Sequence, residues 1–90
     1  MTYAWLGDEK ISRQLGKLAQ SDLADFVRVH QGLSEDPRSI WLRAMACAKD
    51  DLPGAWCVQF GHGGLLTYHI DDEKGELEPL QLDMPAPTDE

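Results

Sequence analysis

Gly61, His62, Gly63 and Gly64 separate two short apolar runs, residues 55–60 and 65–70. Three glycines in this four-residue stretch supply the positive φ that a tight reversal needs and that residues with a Cβ resist. The runs therefore fold back on each other as an antiparallel hairpin. Pairing them symmetrically about the loop puts Trp56, Val58 and Phe60 on one face with Leu65, Thr67 and His69. Cys57 and Gln59 then share the other face with Leu66, Tyr68 and Ile70. Both faces are half apolar, so one packs on the rest of the chain and the other keeps apolar surface exposed.

A third strand follows over residues 76–83. Asp72, Glu73, Lys74 and Gly75 suit a type I turn with glycine in the left-handed position. Within 76–83 the apolar phase switches between Leu77 and the pair Leu80 and Leu82, with Pro79 between them. A bulge on an edge strand accounts for both the phase change and the proline.

The first half reads as helical. Tyr3, Ala4 and Trp5 have room for a short leading strand before Gly7. Asp8 is a suitable N-cap, and Ile11, Leu15 and Leu18 recur at i, i+4 and i+7 on one helix face. Continuing that helix to Val29 would place Asp22 inside the apolar stripe. A break near Gln20 avoids this, with Ser21 capping a second helix that carries Leu23, Phe26 and Val27. Residues 26–30 also alternate and fit a short strand; Gly32 ends the element either way, with His30 at its end. Asp36 and Pro37 are an N-cap and N1 pair. From 40 to 48 only Arg43 is polar, which marks a central buried helix, stopped by Asp50, Asp51, Pro53 and Gly54. Trp41 and Trp56 are then the main contacts between that helix and the sheet, with Trp5 less important.

The expected architecture is α+β: two or three helices on one face of a C-terminal three-stranded antiparallel meander, with room for a short N-terminal strand. At 90 residues this is one compact domain, residues 1–83, with an extended acidic tail at 84–90.

Charge divides the chain. Residues 1–50 hold seven acids and seven bases, whereas 51–90 hold nine acids and only Lys74, so the whole formal charge of −8 lies in the second part. Such a surface repels nucleic-acid phosphates and anionic lipid and attracts a basic groove on another protein. The start of the chain does not read as a secretory leader, and no apolar run approaches the ~20 residues that span a bilayer. The two cysteines, Cys47 and Cys57, make no disulfide framework. The expected location is cytoplasmic, with reduced thiols.

No reaction motif survives inspection. The loop at 61–64 superficially resembles an esterase oxyanion loop, but no serine lies in G-x-S-x-G. Cys47, Cys57, His62 and His69 lack the spacing of a zinc knuckle, and alternation sends Cys57 and His69 to opposite faces, so neither a metal site nor a thiol nucleophile is expected. No cofactor is implied. Asp71, Asp72, Glu73, Glu76 and Glu78 crowd one hairpin end without the order of a calcium loop. Lys10, Arg13 and Lys17 form a basic stripe on the first helix.

The expectation that follows is a binding protein and not an enzyme. Asp71, Asp72, Glu73, Glu76 and Glu78, with Asp83 behind them, present carboxylates to the basic, nucleic-acid-binding groove of a larger protein, and Leu66 or Tyr68 supplies an exposed apolar anchor. In composition the chain resembles small acidic inhibitors of the immunity, antitoxin and phage anti-defence kinds, which implies occlusion of a partner and no direct nucleic-acid contact. Two alternatives stand beside it: a small subunit or homodimer using an apolar sheet face, and a helical recognition module binding through Lys10, Arg13, Lys17, Arg28 and Arg38.

Overall fold

The computed structural model describes residues 2–7, 9–47 and 51–85. A two-residue strand, β1 (Ala4–Trp5), precedes helices α1 (Glu9–Leu15) and α2 (Gln20–Glu35). A single 3-10 turn, Ile40–Leu42, then leads to β2 (Met45–Ala46), β3 (Trp56–Phe60), β4 (Gly64–Asp71) and β5 (Glu76–Asp83). The strands form one five-stranded mixed sheet in the order β1-β5-β4-β3-β2. β1 runs parallel to β5 and the other neighbours are antiparallel. The three-stranded meander expected from sequence is therefore the centre of a wider sheet, whose outer strands are too short for periodicity to reveal.

The core lies between the helices and one sheet face. Ile11 from α1 and Phe26, Val29 and Leu33 from α2 pack on Val58, Phe60, Leu66, Tyr68, Ile70, Leu77 and Leu82. Each fully buried large apolar side chain contributes about 1.5–3 kcal/mol. The ring of Phe26 meets that of Phe60 edge-on, with centroids 5.2 Å apart.

The hairpin register differs from the symmetric one by a single residue. Phe60 pairs with Gly64 and Val58 with Leu66, so Trp56, Val58 and Phe60 share their face with Leu66, Tyr68 and Ile70. A one-residue slip exchanges the faces of a strand, and burial selects between the two. The observed register gathers the larger apolar set under the helices and leaves Gln59 and His69 exposed. The bulge in the last strand is present: Thr67 pairs with Gln81 and Tyr68 with Pro79, leaving Leu80 as the extra residue. β5 is not an edge over its whole length, because β1 pairs with Glu76 and Leu77. Pro79 lies beyond that pairing, where its missing N–H costs no ladder bond.

The break between the first two helices is real, but its details differ. α1 ends at Leu15, and Leu18 N–H bonds Leu15 O in a tight turn. α2 starts at Gln20 with Ser21 inside it and no side-chain cap. The expected cap Asp8 lies outside the described residues, as do residues 48–50 and the tail from 86. Residues 26–30 are helical, so His30 is internal to α2, where it stacks on Trp5 at 4.4 Å. Gly32 does not stop the helix. A Cβ there would lie 2.5 Å from Leu42 Cδ1, so the glycine permits the 3-10 turn to seat on α2.

Asp36 and Pro37 close a helix where they were expected to open one. Proline pushes the residue before it out of the helical region, and Asp36 sits at φ −148°, ψ 96°. The long buried helix from 40 is absent. After one turn Arg43 adopts a left-handed conformation, φ 58°, and Met45 and Ala46 go to the sheet edge opposite Cys57 and Trp56. Ile40 and Trp41 are 81% and 90% exposed, so Trp41 is no core contact. Trp56 does pack against the core.

Candidate functional site

Asp22 explains why a carboxylate can sit on an apolar stripe. It is 7% exposed, and its Oδ1 accepts the backbone N–H of His62 at 3.1 Å and lies 2.7 Å from His62 Nδ1. One helical turn on, Asp25 Oδ2 accepts the N–H of Gly61 at 2.5 Å. The first turns of α2 thus clasp the β3–β4 reversal from below. Gly61, at φ 57°, leaves room for this: a Cβ would approach Asp22 Oδ1 to 2.6 Å. The Gly61 N–H bond, then the hydrogen bond from Arg28, hold the Asp25 carboxyl below the usual carboxylate range.

The contact orients the His62 ring. A carboxylate facing Nδ1 favours the tautomer with the proton on Nδ1, which leaves Nε2 with a lone pair. The His62 side chain is 65% exposed, so a reactant can reach it. Beside Gly61 opens a cleft of about 310 Å³ between α2, the 3-10 turn and β3, lined by Asp25, Arg28, Trp41, Arg43, Gln59 and Gly61 among others. Arg28 donates to Asp25 Oδ1 at 2.7 Å from the cleft wall. The cleft thus holds two guanidinium groups and an exposed indole, and the oriented imidazole belongs to the residue that follows Gly61 on its rim.

The acidic residues expected to bind a partner are in part committed elsewhere. Asp72 accepts two bonds from Arg38, at 2.9 and 3.2 Å, and one from the Tyr3 hydroxyl at 2.8 Å. The Arg38 bond, then that of Tyr3, hold the Asp72 carboxyl low. Asp71 Oδ1 accepts the N–H of Lys74 at 3.1 Å, closing the turn. Asp71 and Glu76 are cross-strand partners, as are His69 and Glu78, and Glu73 and Glu78 are exposed. Asp83 is at the other end of β5, opposite Leu65, where it accepts from Gln81 at 2.8 Å. The structure therefore brings five of the six acids together and leaves Asp83 apart.

Leu66 and Tyr68 are 0% exposed and face the helices, so neither is the exposed anchor that the symmetric register implied. The Tyr68 hydroxyl donates to Pro37 O, and burial pushes its pKa up. Of the five bases expected in a recognition surface, Arg13 pairs with Glu9, Arg28 with Asp25 and Arg38 with Asp72. Arg38 also lies 5.6 Å from the centre of the Trp56 ring. Among the described residues no cluster of His, Cys, Asp or Glu is arranged to hold a metal ion. Sequence reasoning missed Asp22, Asp25, Trp41, Arg43 and Gln59 as site residues, and read His62 as a turn residue whose spacing excludes a zinc knuckle.

No protein-family model matches the chain, and no curated protein matches it in sequence. Solved structures do match. The chain is similar to a structure of the toxin–antitoxin complex RelBE2 from Mycobacterium tuberculosis, at TM-score 0.74 and 25% identity over 93% of this chain and 99% of that one. It is similar to the RelE–RelB complex of Pyrococcus horikoshii at TM-score 0.78 and 13% identity, over 98% and 100% of the two chains. A mutant of E. coli toxin RelE in the free state superposes at TM-score 0.70 and 19% identity, over 93% and 84%. The chain thus has a fold of toxin–antitoxin proteins. E. coli toxin RelE has this fold in the free state. This likeness to toxins overturns the expectation that the chain is no enzyme. No helix among the described residues is long and apolar enough to cross a membrane.

Proposed function

We propose that the chain is the toxin-side protein of a toxin–antitoxin pair and an enzyme that cuts single-stranded RNA at the Asp22–His62 pair. The observation that carries this reading is the 2.7 Å contact between His62 Nδ1 and buried Asp22 beside a cleft holding Arg28 and Arg43. RNA supplies its own nucleophile. His62 Nε2 takes the proton of a ribose 2′-hydroxyl, the 2′-oxygen attacks the adjacent phosphorus, and the 5′-oxygen leaves with a proton from solvent. The products are a 2′,3′-cyclic phosphate and a 5′-hydroxyl, and no metal is needed. Asp22 holds the imidazole in its tautomer and stabilises the imidazolium that forms, while a guanidinium offsets charge building on the phosphoryl oxygens.

Net charge argues against tight RNA binding, but the charged side chains of the cleft all come from the neutral half of the chain. Its named charges are Asp25, Arg28 and Arg43. The acidic end at Asp71, Glu73, Glu76 and Glu78 is the surface we assign to the antitoxin, through a basic segment of that partner. Incubating purified protein with a single-stranded oligoribonucleotide and assaying cyclic-phosphate ends tests the enzyme reading. Cleavage that survives His62→Ala would remove the pair from the mechanism.

A further inference from the structure

The indole of Trp41 is 90% exposed, yet the backbone that carries it is fixed. The 3-10 turn that carries it is closed by Arg43 N–H to Ile40 O at 3.1 Å and Ala44 N–H to Ser39 O at 3.1 Å. Leu42 anchors the turn in the space above Gly32. Directly after it, Arg43 is the one non-glycine residue with positive φ among the described residues. A side chain resists that conformation, and such outliers concentrate where function requires them. Trp41 and Arg43 line the same cleft as Arg28 and Gln59.

We infer that Trp41 and Arg43 form a subsite for one unpaired nucleotide of RNA, the base stacked on the indole and its phosphate held by the guanidinium. This deepens the proposed function and rests on it. The cleft's chemistry favours a base over an apolar side chain of a protein. Asp25, Arg28, Arg43 and Gln59 would leave an apolar anchor against charged and amide walls, whereas a nucleobase presents an apolar face and a polar edge. The Gln59 amide, exposed on β3, offers a donor and an acceptor to that edge. An arginine beside the indole matches phosphate with two parallel N–H groups.

The test measures binding and not turnover. A fluorescent single-stranded hexamer of 2′-O-methyl ribonucleotides cannot be cut, and its anisotropy with the full chain reports affinity. Trp41→Ala is expected to weaken binding ~10-fold, with Trp41→Phe restoring most of it. An abasic position in the hexamer is expected to weaken the native protein by a similar factor and to leave Trp41→Ala no weaker than before. Arg43→Gly keeps the backbone conformation and is expected to reduce the salt slope by ~0.7. Equal affinity of native protein and Trp41→Ala, equal abasic penalties in both, or no binding by the native protein would each overturn the subsite. So would a Trp41→Ala variant that keeps RNA but loses a co-purified antitoxin, which assigns the indole to a protein interface. His62→Ala is expected to bind like native protein. Its failure to stop cleavage would defeat the catalytic reading and leave the subsite to the anisotropy alone.

Discussion

Asp22 and His62, forty residues apart in the chain, meet at 2.7 Å and are bonded twice, through the imidazole and through the backbone N–H. The same pair ties α2 to the β3–β4 turn and orients a histidine, so its two roles can be separated by substitution. Asp22→Ala leaves the His62 N–H without its acceptor and is expected to cost ~2 kcal/mol, read as a lower urea midpoint. Asp22→Asn keeps an oxygen for the backbone N–H, so most of the stability should remain. It favours the wrong tautomer of His62, so RNA cleavage should fall at least ~100-fold. An Asn variant with native activity would make the contact purely structural.

Trp41 and Trp56 should behave oppositely in thermal melts. With Trp41 90% exposed, Trp41→Ala should move stability by less than ~0.5 kcal/mol. Trp56 packs against the core and under Arg38, and Trp56→Ala should cost ~2 kcal/mol or more. A Trp41→Ala melt well below native would mean that the 3-10 turn depends on its indole.

His30 gives the fold an acid sensitivity. Burial lowers its pKa below the ordinary 6.5, so the unfolded chain binds the proton more readily than the folded one. Its contribution is complete above pH ~6.5 and is lost as pH falls from there towards the folded value. Urea midpoints should therefore drop between pH 7.5 and 5.5, and His30→Phe, which keeps a ring against Trp5, should flatten that drop. Equal slopes in both proteins would clear His30.

Thr67 is 0% exposed, and its Oγ1 has no hydrogen-bond partner among the described residues. Thr67→Val preserves shape and strand preference while removing the unpaired hydroxyl. It should raise stability by ~1 kcal/mol, a melting increase of about 4–8 °C for a domain of this size. A lower melting temperature would reveal a partner for the hydroxyl.

What could be read in the sequence depended on how local the cause was. The glycine-rich reversal, the turn at 72–75 and the bulge beside Pro79 are determined by residues adjacent to them, and all three are present. The hairpin register is not legible locally, because symmetry about the loop is only one of two pairings that the apolar pattern tolerates, and helix burial decides between them. Ile40, Trp41, Met45 and their neighbours have the composition of a buried helix, and composition cannot show that Leu42 seats on Gly32. Asp22 did leave a signal. A carboxylate that interrupts an apolar face either breaks the helix or has a buried partner, and Asp22 has the partner. His62 was hidden by its glycines, since its partner lies in a different element.

The parallel contact of β1 with β5 joins Ala4 and Trp5 to Glu76 and Leu77, nearly opposite ends of the chain. During synthesis the first strand emerges early and must wait, unpaired, until the last has left the exit tunnel. Loop closure over that span is an entropic cost met late, so the helices and the central hairpin can associate before the sheet is complete. The newborn chain thus passes through a stage in which Trp5 and its strand are uncovered, and a variant that delays β5 would extend exposure to proteases and to aggregation.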